Sequence, residues 1–156
     1  MPGLQGKSVV VGLSGGIACY KGAELVRALV KEGATVRVIM TDAAREFVTP
    51  LTLQTLSGRP VATSLFDLDQ ESQIGHIRLA DEADVLLVAP ATANVIAKLA
   101  HGIADDLLTT VALATRSPIV VAPAMNVNML SNPITQRNLE RVKEHGVIVV
   151  APEEGF

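Results

Sequence analysis

The 156-residue sequence has one cysteine, Cys19, no tryptophan, and only four aromatic side chains: Tyr20, Phe47, Phe66 and Phe156. A single thiol excludes an intramolecular disulfide and fits a reducing cytoplasm. With no Cys/His cluster at ligand spacing, no metal site is expected. No apolar run approaches the ~20 residues of a membrane span, since the run at residues 8 to 13 ends at Ser14-Gly15-Gly16, and no signal-peptide pattern precedes it. Lysine plus arginine number 13 against 16 for aspartate plus glutamate, with no basic block and no row of aromatics. Neither nucleic acid nor a membrane is therefore an expected partner.

What the sequence has in abundance is small and branched aliphatic residues, which bring the apolar share to 49%. With so few aromatics, Val, Leu, Ile and Ala must fill the core, a composition suited to buried parallel strands covered by helices. A chain of this length buries roughly 70% of its unfolded surface, so one domain over residues 1–156 is expected. Four strand-length runs recur at Ser8–Leu13, Thr35–Met40, Val85–Ala89 and Ile119–Ala122, with a fifth at Val147–Val150. Helical patterns lie between them: 17–32 before Gly33, 94–115 with a break near Gly102, and 133–144 introduced by Ser131 or Asn132. Residues 43–83 read as loops and short helices, broken by Pro50, Gly58-Arg59-Pro60 and the polar stretch from Asp67 to Gly75. The expected fold class is α/β: a three-layer Rossmann-like parallel sheet with helices on both faces, the flavodoxin-like strand order being one option.

In such sheets ligands collect beyond the carboxyl ends of the strands. The turns there are Ser14-Gly15-Gly16, Thr41-Asp42, Pro90-Ala91-Thr92-Ala93-Asn94 and Pro123-Ala124-Met125-Asn126. Gly12-Leu13-Ser14-Gly15-Gly16 joins a strand to a helix, where backbone N–H groups and the helix dipole favour an anion. It is neither the dinucleotide fingerprint nor a nucleoside-triphosphate loop, so a mononucleotide such as FMN fits better. A tight turn that needs glycine for its own geometry explains the same residues. Thr92 and Asn94 offer a hydroxyl and an amide to a ligand, and Thr92 equally suits a helix cap. His76, beside Gly75 in a polar loop, is either a general base or a solvated surface residue. Asn126, between Met125 and Met129, either binds a carboxylate or amide or caps a helix over methionines that fill the core.

Four of these segments taken together resemble one family. Ser-Gly-Gly-Ile-Ala-Cys-Tyr-Lys at 14–21, Ile-Gly-His-Ile at 74–77, Pro-Ala-Thr-Ala-Asn at 90–94 and Pro-Ala-Met-Asn-x-x-Met at 123–129 are similar to the homo-oligomeric flavin-containing cysteine decarboxylases. Within these, the resemblance is greatest to the branch acting on 4′-phospho-N-pantothenoylcysteine in coenzyme A biosynthesis, the decarboxylase half of a bifunctional protein. It implies FMN held by Ser14, Gly15, Gly16, Thr41, Thr92, Ala93 and Asn94, with Phe47 and Ala124 near the cofactor. It implies His76 as catalytic base and Asn126 with Met125 at the substrate. It also implies a trimer, or a dodecamer of trimers, with the flavin site shared between subunits. The implied reaction oxidises the thiol-bearing carbon, loses CO₂ into the electron sink so made, and returns the electrons to give 4′-phosphopantetheine.

The sequence departs from that pattern in two ways. The family's reductive half uses a cysteine on a flap just past a Pro-Glu-x-Gly-like segment, and the sequence closes on Pro152-Glu153-Glu154-Gly155-Phe156. Cys19 does not match that motif, so the expectation is a chain cut short before the flap and a carboxy-terminal ligase domain. Leu130 also stands where the family often has an aromatic residue. Rival readings are a peptidyl-cysteine decarboxylase, a flavin prenyltransferase-like enzyme and a non-enzymatic flavin-binding regulatory subunit.

Overall fold

Runs dominated by valine and isoleucine become strands because branched side chains pack well on a pleated surface, while the amphipathic runs between them coil into helices that cover it. A computed structural model describes residues 3–65 and 72–151. The first half runs β1 (Ser8–Leu13), α1 (Cys19–Lys31), β2 (Thr35–Met40), a 3₁₀ turn (Ala44–Glu46), α2 (Pro50–Ser57) and α3 (Ser72–Glu82). The second runs β3 (Val85–Ala91), α4 (Ala93–His101), α5 (Leu107–Ala114), β4 (Ile119–Pro123), α6 (Val127–Ser131), α7 (Pro133–Glu144) and β5 (Ile148–Val149).

All five strands are parallel, in the order β2-β1-β3-β4-β5. This is the flavodoxin-like option, with β1 flanked by β2 on one side and β3 on the other. The register runs without slip from Ser8 opposite Thr35 to Leu13 opposite Met40. Outside β2, the segment around Ala62 adds a bridge: the Met40 N–H donates to the Ala62 carbonyl at 3.0 Å.

Alternation along β1 sends Val9, Val11 and Leu13 to one face and Val10 to the other, and this divides the core in two. On the first face they meet Cys19 and Val26 of α1 and Leu53 of α2. On the second, Val10 joins Leu86, Val88 and Val121 beneath Ala80, Ile96, Leu108, Val111 and Leu139. Each fully buried Val, Leu or Ile contributes about 1.5–3 kcal/mol. Among the described residues, no helix is long and apolar enough to cross a membrane.

Three sequence expectations shift. The strand ending expected at Ala89 continues through Pro90 to Ala91, with a register irregularity between Val88 and Ala91 and a cis Ala89–Pro90 bond. The edge strand expected over four residues pairs over only two, because β4 alone supports it. The polar stretch expected as loop up to Gly75 is helical from Ser72, so His76 lies inside α3 and not in a loop. Tertiary anchoring outweighs the local glycine: Ala80 and Ala83 are buried, and Thr115 Oγ1 donates to the Ala80 carbonyl at 2.9 Å.

The approach of α1 to the sheet depends on Gly22, where an added Cβ would sit 2.8 Å from the Ala89 carbonyl oxygen. Gly22→Ala gains helix propensity of about 1 kcal/mol but loses about 1–3 to overpacking. The expected net is a loss of about 1 kcal/mol, or roughly 2–4 °C in Tm by calorimetry. A rise in Tm would show that α1 is not seated on β3.

Candidate functional site

Because β2 and β3 flank β1 on opposite sides, the chain leaves β1 for one face while its neighbours' turns diverge, opening a crevice at the carboxyl ends. A cavity of about 710 Å³ occupies that position, and Ser14, Gly15, Thr41, Thr92 and Asn94 all line it. Three turns far apart in sequence thus meet as the topology requires.

The turn after β1 leads into α1, whose cap position is Ala18 with no side-chain hydrogen bond and no acidic residue in the first turn. The other helices with described caps are served by Thr49, Thr92, Asp106, Asn126 and Asn132. The amides of Gly15, Ile17 and Ala18 have no acceptor among the described residues. Helix N-termini left this way carry partial positive charge and suit an anion.

The two glycines differ in what they are for. A Cβ on Gly15 would collide with the Ala43 Cβ and lie 2.8 Å from the Ala43 carbonyl carbon, so this glycine lets the turns after β1 and β2 touch. At Gly16 a Cβ would meet nothing within 4 Å. Packing within the described chain explains the first glycine and not the second.

Thr41 Oγ1 accepts from the Ala44 N–H at 3.1 Å and so caps the short turn after β2. Thr92 Oγ1 accepts from the Val95 N–H at 3.2 Å and caps α4. Ser14 is 1% exposed, and its N–H and hydroxyl both donate to the Pro90 carbonyl, at 3.2 and 2.6 Å. Its Oγ accepts from the Thr92 N–H at 2.9 Å.

Sequence reasoning missed the charged rim. Lys98 pairs with Asp105 at 2.9 Å, whereas Arg45, on the 3₁₀ turn, lines the cavity without an ion-pair partner among the described residues. The only available signal was a basic residue four positions past Thr41.

The remaining candidates lie elsewhere. His76 is half-buried and faces a second cavity of about 300 Å³ with Arg37, Arg78 and Glu82, which shares Ser64 and Leu107 with the first. Its Nδ1 is buried with no partner among the described residues. Asn126 Oδ1 accepts from the Asn128 N–H at 2.7 Å, so the capping role is real, and its amide nitrogen is left for another partner. Met125 packs against the second-face core, and the Ala124 N–H donates to the Ala91 carbonyl at 3.0 Å. Phe47 is half-exposed. None of Gly16, Phe47, His76, Ala93, Ala124, Met125 and Asn126 lines the larger cavity.

Cys19 is fully buried, and its thiol donates to the Ser14 carbonyl at 3.0 Å. Burial pushes that thiol up from its ordinary pKa, with the Gly16 backbone opposing. It is a packed residue and not an accessible acid. Residues 152–156, which flank the expected flap position, lie outside the described residues.

Residues 3–156 match the family model described as Flavoprotein. The chain belongs to the flavoprotein family. It is 54% identical over 155 residues to the coenzyme A biosynthesis bifunctional protein CoaBC of Vibrio cholerae, covering 99% of this chain but 39% of that protein. The chain therefore spans about two fifths of the length of that curated relative. The FMN-dependent cysteine decarboxylase SpaF superposes with a TM-score of 0.89 at 36% identity, covering 97% of this chain and 87% of that one. A mutant PPC decarboxylase complexed with pantothenoylaminoethenethiol superposes at 0.80 with 34% identity, covering 94% and 82%. The fold class and the family resemblance read from the four motifs are both borne out.

The contrast between the glycines of this flavoprotein is testable by urea unfolding. Gly15→Ala is expected to lose about 1–3 kcal/mol, and Gly16→Ala to stay within about 0.5 kcal/mol of the parent. Equal losses would contradict the close approach at Ala43.

Proposed function

We propose that this chain binds FMN in the crevice at the ends of β1, β2 and β3 and catalyses decarboxylation of 4′-phospho-N-pantothenoylcysteine. One observation carries the reading. In a chain related to cysteine decarboxylases, the turn that leads into the uncapped α1 lines, through Gly15, a crevice bearing Thr41, Thr92 and Asn94. The donor set fits a phosphate monoester: free backbone amides, hydroxyls, an amide side chain and Arg45, which has no ion-pair partner among the described residues. Gly16, with open space where a side chain would stand, lets a ligand approach the backbone closely. Gly15, Gly16, Thr41, Thr92, Ala93 and Asn94 would hold the cofactor, with Ala124 and Phe47 beside it.

When bound, FMN supplies a two-electron acceptor that oxidises the thiol-bearing carbon and so creates a sink for the electrons released with CO₂. The chain's own residues bind the substrate and move its proton. The His76 imidazole takes up the thiol proton, a role open to a group whose Nδ1 has no partner among the described residues. The Asn126 amide nitrogen donates to the substrate carboxylate, held in place because its oxygen is fixed by the Asn128 N–H. Met125, anchored in the core beside it, shapes the pocket.

Neither His76 nor Asn126 lines the crevice of its own chain, and in this reading a neighbouring copy supplies them. Exposed apolar residues support such an assembly: Val127 is 69% and Ile134 65% exposed near Asn126, and Ile17 is 77% exposed at the glycine turn. The assembly is a trimer or a dodecamer of trimers, working in the cytoplasm. The chain corresponds to 39% of its Vibrio cholerae relative, and its one cysteine is buried. The residues named above serve the oxidative half, and the buried Cys19 is not the acid of the reductive half.

A second reading, decarboxylation of a cysteine-ended peptide, is supported by the superposition on the peptidyl-cysteine decarboxylase EpiD, with a TM-score of 0.82 at 26% identity. Assaying CO₂ release from both substrates separates the two. The account expects turnover of the phosphopantothenoyl substrate at least about tenfold above the peptide in kcat/KM. Purified protein is expected to be yellow or to take up FMN, and His76→Asn to retain flavin while losing CO₂ release by about 10²-fold or more. Colourless protein that ignores added FMN contradicts the cofactor, and unchanged turnover in His76→Asn contradicts the base.

A further inference from the structure

We propose that Ser14 acts as a latch between two turns of the site and does not itself touch the ligand, so that it is a positioning residue for Thr92 and Asn94. Every polar atom of Ser14 is engaged inside the chain. Its N–H and its hydroxyl hydrogen both go to the Pro90 carbonyl, at 3.2 and 2.6 Å. Its Oγ accepts from the Thr92 N–H at 2.9 Å, and its carbonyl accepts from the Cys19 thiol at 3.0 Å. A hydroxyl has one hydrogen, and here it is spent. At 1% exposure, Ser14 has no donor left for a phosphate in the crevice it borders.

What the hydroxyl does instead is bridge 78 residues of sequence, from the end of β1 to the start of α4. Thr92 is the cap of α4, and its N–H lies at the strand-to-helix corner, where backbone donors are otherwise orphaned. Ser14 fixes that N–H; Thr92 Oγ1 in turn fixes the Val95 N–H, and the first turn of α4 then sets where Asn94 stands. Removing the hydroxyl leaves a half-buried Thr92 amide without its acceptor and frees the Thr92–Asn94 corner to move. The site would then have to be ordered at the moment of binding, which weakens affinity without deleting any contact.

The latch rests on geometry alone, and only its ligand rests on the flavin reading above. The test is amide hydrogen exchange of the isotopically labelled full chain without flavin, paired with FMN titration. The parent protein is expected to protect the Thr92 amide. Ser14→Ala is expected to lower that protection about tenfold, with Val11 and Leu87 amides unchanged, and to raise the FMN dissociation constant about tenfold. Ser14→Ala that loses FMN affinity while Thr92 keeps its protection would make Ser14 a direct ligand and overturn the latch. A Thr92 amide that exchanges freely in the folded parent overturns it without any variant. Failure of the parent to bind FMN would instead remove the flavin reading and leave the exchange result to decide the latch.

Discussion

Parallel pairing of β1 with β2 on one side and β3 on the other is the constraint on which the remaining architecture depends. Parallel strands need crossovers, and crossovers starting from adjacent strands on opposite sides of β1 cannot close over its end. The gap so left is where the chain concentrates its backbone donors. Two close contacts keep it narrow: Gly15 lies against Ala43, and Ser14 is bonded to Pro90 and Thr92. The turns after β1, β2 and β3 are thereby tied to one another directly and not merely carried by the same sheet.

The electrostatics follow from that closure. Among the α-helices whose caps are described, the one that starts at the gap is the one without a side-chain cap, while Thr92 and Asp106 satisfy the neighbouring starts of α4 and α5. Lys98 is neutralised by Asp105, which leaves Arg45 as the cation without an ion-pair partner among the described residues at a rim that also carries the carboxylates of Asp42 and Asp106. The groups assigned to proton transfer and carboxylate binding stand apart from this anion site. His76 lies on α3 beside a second, smaller cavity that shares Ser64 and Leu107 with the first, and Asn126 at the start of α6. In the proposed reading, cofactor holding and substrate chemistry are carried by different parts of the surface, and assembly of copies would join them.

Much of this was legible from sequence, for physical reasons that can be named. The valine-rich runs placed β1 and β2 to the residue because strands covered on both faces read as near-continuous apolar runs, ended here by Ser14-Gly15-Gly16 and Thr41-Asp42. The glycine turn was legible because strand-to-helix corners at a sheet's carboxyl edge have few solutions. His76 was misplaced because local polarity and Gly75 suggest a loop, whereas burial of Ala80 and Ala83, four and seven residues further on, decides the helix. The end of β3 was set too early because proline usually stops a strand; here Pro90 has no N–H to lose from the ladder and serves through its carbonyl. Ser14 was grouped with ligand donors because sequence shows that a hydroxyl is present but not where its hydrogen points. Arg45 was invisible because nothing in a lone basic residue tells that the chain will fold it over the crevice.

The central claim is that the crevice is built for a phosphate attached to a flavin. Its most direct test is parallel fluorescence titration of the flavin-free chain with FMN and with riboflavin, which share the ring and the ribityl chain and differ only in the phosphate. The account predicts that FMN binds about a hundredfold tighter or more, the contribution of charge-assisted bonds from the α1 N-terminus and its partners. Equal affinity for the two would contradict it.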